Sequence, residues 1–352
     1  MRSSGSNGED VTITHFGLSV SQRRYVMNRM RGKFCAGLLL MSLFFLGWGE
    51  AVHSQEKYPT RAIEIIVPFG PGGNTDLVTR VLANYVKDIW KVPVNVVNKS
   101  GGNTVPASLE VLNSKPDGYT LLADCSPSTS MLPYAIRNVP FNIMDRTFVL
   151  SASIYHLIYL VQTNSPIKSL KDLEVEVKRD PQNFTWASLG GAAQQDYGTR
   201  QFLRAIGVDV MQTKAVMAQS GSQAMTLTAG GHVKMGPAAT GSASPGIRGG
   251  LVRGLAITYK SRWPDLPDIP TTAEAGYPSL NSSQWNGISG PANLPSEVVA
   301  AWNQVVQQAA KDPNYANQLR NVGALPFYLN ESDVREYVKK ETIAAGETYG
   351  KR

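Results

Sequence analysis

The residues best suited to chemistry lie in one run, Gly70-Pro71-Gly72-Gly73-Asn74-Thr75-Asp76, between a β-branched apolar segment and an amphipathic one. Glycines at 70, 72 and 73 admit positive φ and leave their backbone N–H groups uncovered by side chains. Bare amides at the start of a helix make an anion site, suited to a carboxylate or a phosphate. The phosphate-binding P-loop fails here, because Asn74-Thr75 stands where Lys followed by Ser or Thr is required. The dinucleotide fingerprint fails too. Its third Gly position holds Thr75, and the segment 94–97 ends in Asn98-Lys99, with no acidic residue for a ribose. A carboxylate site is the sharper reading; a turn that merely connects is the blander one.

A second source of donors is the hydroxyl-rich run Ser126-Pro127-Ser128-Thr129-Ser130. Cys125 abuts it and invites a nucleophilic reading, but no His is near in sequence, so an inert small residue is expected. His156 lies in an apolar run and reads as core; His232, after Gly230-Gly231, reads as solvated. With Cys125 they supply no zinc-ligand spacing, so neither metal nor cofactor is expected. The Gly-x-Ser-x-Gly marker of hydrolases is absent. Lys99, Lys214, Lys234 and Arg248 default to solvated surface, and Trp285 and Tyr197 suit a core as well as a cleft wall.

The chain has 352 residues, enough for two domains with a core each, and a formal net charge of +7. Arg29, Arg31 and Lys33 precede the apolar run from Phe34 to Trp48, and small residues follow near Ser54. That order predicts a secretory signal peptide within residues 1–54, too short for a comfortable membrane span. Its removal lowers the net charge to about +4 and leaves Cys125 alone, without an internal disulfide, which suits a bacterial periplasm. No basic run with interleaved aromatics calls for nucleic acid.

Stepping outward to the elements, Ile63–Val67 predicts a strand and residues 75–90 a helix, with Asn74 or Thr75 as N-cap. Strands follow at 94–97 and 119–123, with a helix over 104–112 between them. This alternation predicts a mostly parallel sheet with the Gly70–Asn74 and Ser126–Ser130 loops at one edge. The apolar run Val149–Val161 carries the chain toward a second lobe. There helices are expected at 170–178, 193–206 and 220–228, and strands at 184–188, 233–235 and 251–258. C-terminal helices are expected near 296–311, 313–322 and 332–348.

Several landmarks stand in a familiar order: Tyr58-Pro59, the run Val67–Asp76, Lys115-Pro116-Asp117-Gly118-Tyr119-Thr120-Leu121-Leu122, Leu266–Tyr277, and Trp285-Asn286-Gly287-Ile288 before Gly290-Pro291-Ala292. In these the chain resembles the Bug-type extracytoplasmic solute receptors, the substrate-binding proteins of tripartite tricarboxylate transporters. The resemblance implies an α/β, periplasmic-binding-protein-like type II fold, two α/β lobes with a ligand cleft between them. Lobe I is expected over 55–158 and 254–352, and lobe II over 159–253. The implied protein is a periplasmic monomer and not an enzyme. It captures a small carboxylate, dicarboxylate or aromatic, and delivers it to membrane transporter subunits.

Carried over position by position, the likeness implies ligand contacts from Phe69, Pro71, Gly72, Gly73, Asn74, Thr75, Asp76, Ser126, Ser128 and Thr129 in the first lobe. In the second it implies Ser188, Gly190, Gly191, Ala192, Gln194, Gln195, Ala239 and Thr240. The second lobe departs from the family pattern. Ala193-Gln194-Gln195-Asp196 replaces a Thr-Ser-x-His turn, Ala218-Gln219-Ser220 replaces Tyr-Lys-Gly, and Val233-Lys234 replaces Val-Asp. Lost bulk there predicts a roomier cleft. Two alternatives stay open: an exported enzyme acting on a carboxylate through Cys125 or Asp76, and a ligand sensor serving a signalling partner.

Overall fold

The computed structural model describes residues 57–350, so the expected signal peptide lies outside them. In chain order the first elements are β1 (Ile63–Val67), α1 (Asn74–Trp90), β2 (Val94–Asn98), α2 (Val105–Leu112), β3 (Thr120–Cys125), α3 (Leu132–Ala135) and β4 (Thr147–Gln162). Then come α4 (Leu170–Arg179), β5 (Thr185–Ser188), α5 (Gln194–Ala205), β6 (Lys214–Met217), α6 (Gly221–Ala229), β7 (Ala238–Ala239), α7 (Thr240–Arg248) and β8 (Val252–Ile257). The chain closes with β9 (Ser283–Gly290), α8 (Ser296–Ala309), α9 (Pro313–Asn321), β10 (Ala324–Leu329) and α10 (Glu331–Tyr349). Apolar residues at helical spacing set these helices down on a core, as Val78, Leu82 and Val86 do for α1.

The expected parallel sheet holds only for β2-β1-β3. The main sheet runs β10-β4-β9-β3-β1-β2, with β9 inserted antiparallel between β3 and β4. β7, β8 and β10 also pair antiparallel with β4. A β/α alternation early in the chain carries no information about a late strand that enters beside β3. β9 fits there because Gly287 lacks a side chain: a Cβ would sit 2.0 Å from the Leu150 carbonyl oxygen. The expected strand at 233–235 is reduced to one bridge, between Met235 and Trp186.

β4 organises the whole. Its residues 147–156 pair with β9, and 157–162 pair with β7 and β8. At about 3.3 Å per residue it is roughly 50 Å long. One hydrophobic core gathers Ile65, Val67, Leu82, Leu150, Trp302 and Val306 around its first half. Another gathers Tyr159, Val161, Leu173, Phe184, Trp186 and Phe202 around its second half. Two cores strung along one strand make the two α/β lobes. α10 touches both ends, packing Val334 and Val338 against Phe148 and Trp285, and Ala345 and Tyr349 against Tyr197. No helix among the described residues is long and apolar enough to cross a membrane.

Candidate functional site

β1 delivers Phe69 and the glycine loop to the start of α1. The N-cap is Gly73, not Asn74 or Thr75, and no side chain caps the helix. The first-turn amides of α1 therefore have neither an intrahelical partner nor a side-chain acceptor. Asp76 points backward into the protein. It accepts from the Gly72 N–H at 2.9 Å and the Asn98 amide at 2.9 Å, and pairs with Arg80 at 2.9 Å. Burial works against its charge, but these partners outweigh it and hold the carboxyl below its usual range. Asp76 thus clamps the loop. Gln284 of β9 donates to Thr75 Oγ1 at 3.1 Å, which leaves the Thr75 proton for another acceptor.

The second lobe repeats the device. β5 leads through Leu189-Gly190-Gly191-Ala192 to α5, whose N-cap Ala193 offers no side-chain acceptor. Asp196 accepts from Ser188 Oγ and from the Leu189 N–H at 2.8 Å; burial, opposed by these bonds, pushes its carboxyl up to about 6. α6 begins after Ser220, which caps it by accepting the Gln223 N–H at 3.2 Å. α7 begins after Ala239 with no side-chain cap.

The starts of α1, α5, α6 and α7 face one cavity of about 180 Å³. Phe69, the 70–75 loop, Pro127, Tyr155 and Gln284 line it from one side. Leu189, Ala193-Gln194-Gln195, Gln219 to Ser222, Ala239 and Ser242 line it from the other. None of these residues is charged. Helix N-termini carry partial positive charge, and enclosure weakens the screening of that charge by water. The arrangement can hold an anion without a cationic side chain. A larger groove of about 940 Å³ runs past Asp145, Glu331 and Arg335, but it is open to solvent and its carboxylates oppose an anion.

Among the residues expected from sequence, Phe69, Pro71, Gly72, Gly73, Asn74, Thr75, Gln194, Gln195 and Ala239 line the cavity. Asp76, Ser188, Gly190, Gly191, Ala192 and Thr240 are not among its lining residues. Thr240, for example, donates to the His156 carbonyl at 2.9 Å. Ser126, Ser128 and Thr129 are not brought to it. Their loop does hold a carboxylate, but the protein's own: Ser126 Oγ at 2.8 Å, Ser130 Oγ, and Trp285 Nε1 at 3.2 Å all donate to Glu341 of α10. Burial, against those donors, pushes the Glu341 carboxyl up to about 7. Ser128 donates to Asp124 at 2.6 Å and Thr129 to the Cys125 carbonyl at 2.7 Å. Tyr155, Ser222 and Gln284 had no sequence signal of their own, since each owes its place to strand pairing or helix docking.

Cys125 is fully buried and burial lifts its thiol to about 12, the surroundings of a packed thiol rather than an activated one. The His156 ring lies tilted against Tyr259 with centroids 4.3 Å apart, and burial lowers it to about 4. Trp285 and Tyr197 pack into cores.

A family model described as tripartite tricarboxylate transporter family receptor matches residues 78–349. The chain is similar to protein BugT of Bordetella pertussis, 27% identical over 308 residues, 86% of this chain and 93% of BugT. Among solved structures it resembles Rpa4515 of R. palustris with adipate: 25% identity, TM-score 0.77, 83% of this chain and 98% of that one. It also resembles the periplasmic binding protein BugD, with 25% identity, TM-score 0.74, 83% of this chain and 97% of BugD. With the same fold at both lobes and the family model running from α1 to the end of α10, the chain belongs to the tripartite tricarboxylate transporter receptor family.

Proposed function

We propose that this receptor is exported to the periplasm, closes its lobes over a small carboxylate and hands it to the membrane subunits of a tripartite transporter. The reading rests on one observation: four helix starts meet around a cavity with no charged side chain. A carboxylate leaving water needs its hydration replaced by fixed donors, and uncapped first-turn amides are such donors. A dry cavity of about 150 Å³ takes up a benzene ring, so about 180 Å³ suits a short aliphatic acid or a single-ring acid. Adipate in Rpa4515 fits the same class.

Closure would turn on β4 where it passes from β9 to β8, and on the crossing that returns the chain into β9. Tyr277 and Leu280 pack with the second core, which supports a return near residue 283 as an alternative to the expected 254. A ligand favours closure only by contacts it makes in both lobes. The decisive experiment is calorimetric titration of the purified chain with succinate, adipate and benzoate, alongside glucose and putrescine. Saturable heat from an acid is expected. A response confined to the sugar or the diamine overturns the reading.

A further inference from the structure

Two amide atoms at the cavity wall have no hydrogen-bond partner among the described residues: Nδ2 of Asn74 and Oε1 of Gln194. They come from opposite lobes and are opposite in kind. Asn74 Nδ2 is a donor and sits on the α1 side, beside the first-turn amides and the Thr75 hydroxyl. Gln194 Oε1 is an acceptor, and its residue is only 1% exposed. Its Nε2 donates to Ser282 Oγ at 2.6 Å. Gln284 makes an instructive contrast. Its Oε1 accepts from the Tyr155 hydroxyl at 2.6 Å, and its Nε2 donates to Thr75 and Asn286 at 3.1 Å each, so it is satisfied without a ligand.

An ionised carboxylate has only acceptors. It can satisfy Asn74 and the helix amides, but it leaves Gln194 Oε1 unpaired in a dry site, which is unfavourable. From this, and resting on the carboxylate reading above, we infer that the ligand carries a hydrogen-bond donor, a hydroxyl or an amide N–H, at the end opposite its carboxylate, and that Gln194 reads it. The carboxylate lies against the start of α1 and the donor points to the start of α5. Gln194 is thereby a specificity-determining residue, one that a family-type Ser at this place would not reproduce at the same reach.

The test uses matched acids that differ by one hydroxyl: succinate against malate, butyrate against 3-hydroxybutyrate, benzoate against 4-hydroxybenzoate. Titrated into the full chain, the hydroxylated member of at least one pair is expected to bind about tenfold or more tighter than its partner. Gln194→Met should bring that ratio close to one, whatever it does to the affinity of the plain acid. A loss shared equally by both members, with the ratio intact, would be a structural effect and overturns the role of Gln194. Acids that bind with no hydroxyl preference in the unaltered chain overturn this inference and leave the carboxylate reading standing. Silence of every acid overturns both. The unaltered chain decides the ligand class whether or not the variant folds.

Discussion

Asp76 and Asp196 hold the same post in the two lobes. Each is the third residue of its helix, and each accepts an N–H from the glycine loop behind it, Gly72 at 2.9 Å and Leu189 at 2.8 Å. Thr79 Oγ1 donates to the Thr75 carbonyl at 2.6 Å, and Thr199 Oγ1 to the Gln195 carbonyl at 3.0 Å. The run Asp-x-x-Thr-Arg therefore occurs twice, at 76–80 and at 196–200. The copies part at the arginine. Arg80 pairs with Asp76 at 2.9 Å, whereas Arg200 lies over the Tyr349 ring at 5.1 Å. Burial lifts both carboxyls, and only at Asp76 does a direct ion pair overcome it.

Removing the clamp should therefore free the loop that presents the amides. Asp76→Ala leaves the Gly72 N–H without its acceptor and the Asn98 amide with only the Phe69 carbonyl, a loss of about 1.5–3 kcal/mol for a bond to a charged group. Carboxylate affinity is expected to fall about tenfold or more, together with the melting temperature. Calorimetry beside thermal melting checks this. Full affinity in a destabilised variant would show that the loop holds its shape without Asp76.

The bare N-caps predict a conflict between stability and function. Ala193 has φ −66° and ψ 145°, the backbone of a capping residue without the side chain for it. Ala193→Asp should cap α5 and add about 0.5–2 kcal/mol of stability. The same carboxylate would occupy the amides meant for the ligand and repel it. A higher melting temperature with carboxylate binding abolished is expected, and Ala193→Ser should show the gain with a milder loss. Unimpaired binding in the Asp variant would place the ligand away from the start of α5.

Much of the first lobe's contribution was legible because it is local. Strand, glycine loop and helix lie within one run, and their residue types leave bare amides at the first turn of α1. Ser188–Gln195 is likewise one local run, of which Leu189 and Ala193 to Gln195 line the cavity. Ser126 to Ser130 misled because the hydroxyl run gives no hint of its partner: Ser126 and Glu341 are 215 residues apart. β9 was equally hidden. Ser-Gln-Trp-Asn-Gly-Ile-Ser-Gly has no period-two apolar pattern, and its place between β3 and β4 is decided by what Gly287 allows. The Asp-x-x-Thr-Arg repeat was visible in principle, but two five-residue matches 120 positions apart in unrelated surroundings mean little until both helices are seen to start at one cavity.

Glu341 predicts a pH dependence of stability. Its carboxyl sits at about 7 in the fold against an ordinary 4.5, raised chiefly by burial. The fold thus binds this proton more tightly than the unfolded chain does. The resulting stabilisation is fully present below about pH 4.5 and is lost as pH rises through about 7. Asp196, at about 6 in the fold, works with the same sign over a lower window. Buried neutral His156 works oppositely, losing stability as pH falls through about 6.5 toward 4. Between about pH 4.5 and 7 Glu341 should make the melting temperature fall with rising pH, and Glu341→Gln should remove that contribution. An unchanged slope in the variant would assign the titration elsewhere.

Tyr349 predicts a kinetic effect of the C-terminal helix. Its ring stacks on Tyr134 of the first lobe at 6.1 Å and on Tyr197 of the second at 6.0 Å. Its hydroxyl donates to the Gly191 carbonyl at 2.6 Å, in the loop that leads to α5. α10 therefore ties Tyr134 to the Gly191 loop, and the proposed opening of the lobes would stretch this contact. Tyr349→Phe keeps both stacks and deletes one neutral hydrogen bond, worth about 0.5–1.5 kcal/mol. If the bond forms only in the closed state, its loss should appear mainly as ligand release about two- to tenfold faster, with the melting temperature of the empty protein nearly unchanged. Stopped-flow displacement of a bound acid measures the rate directly. A lowered melting temperature with unaltered release would make Tyr349 a packing residue with no part in closure.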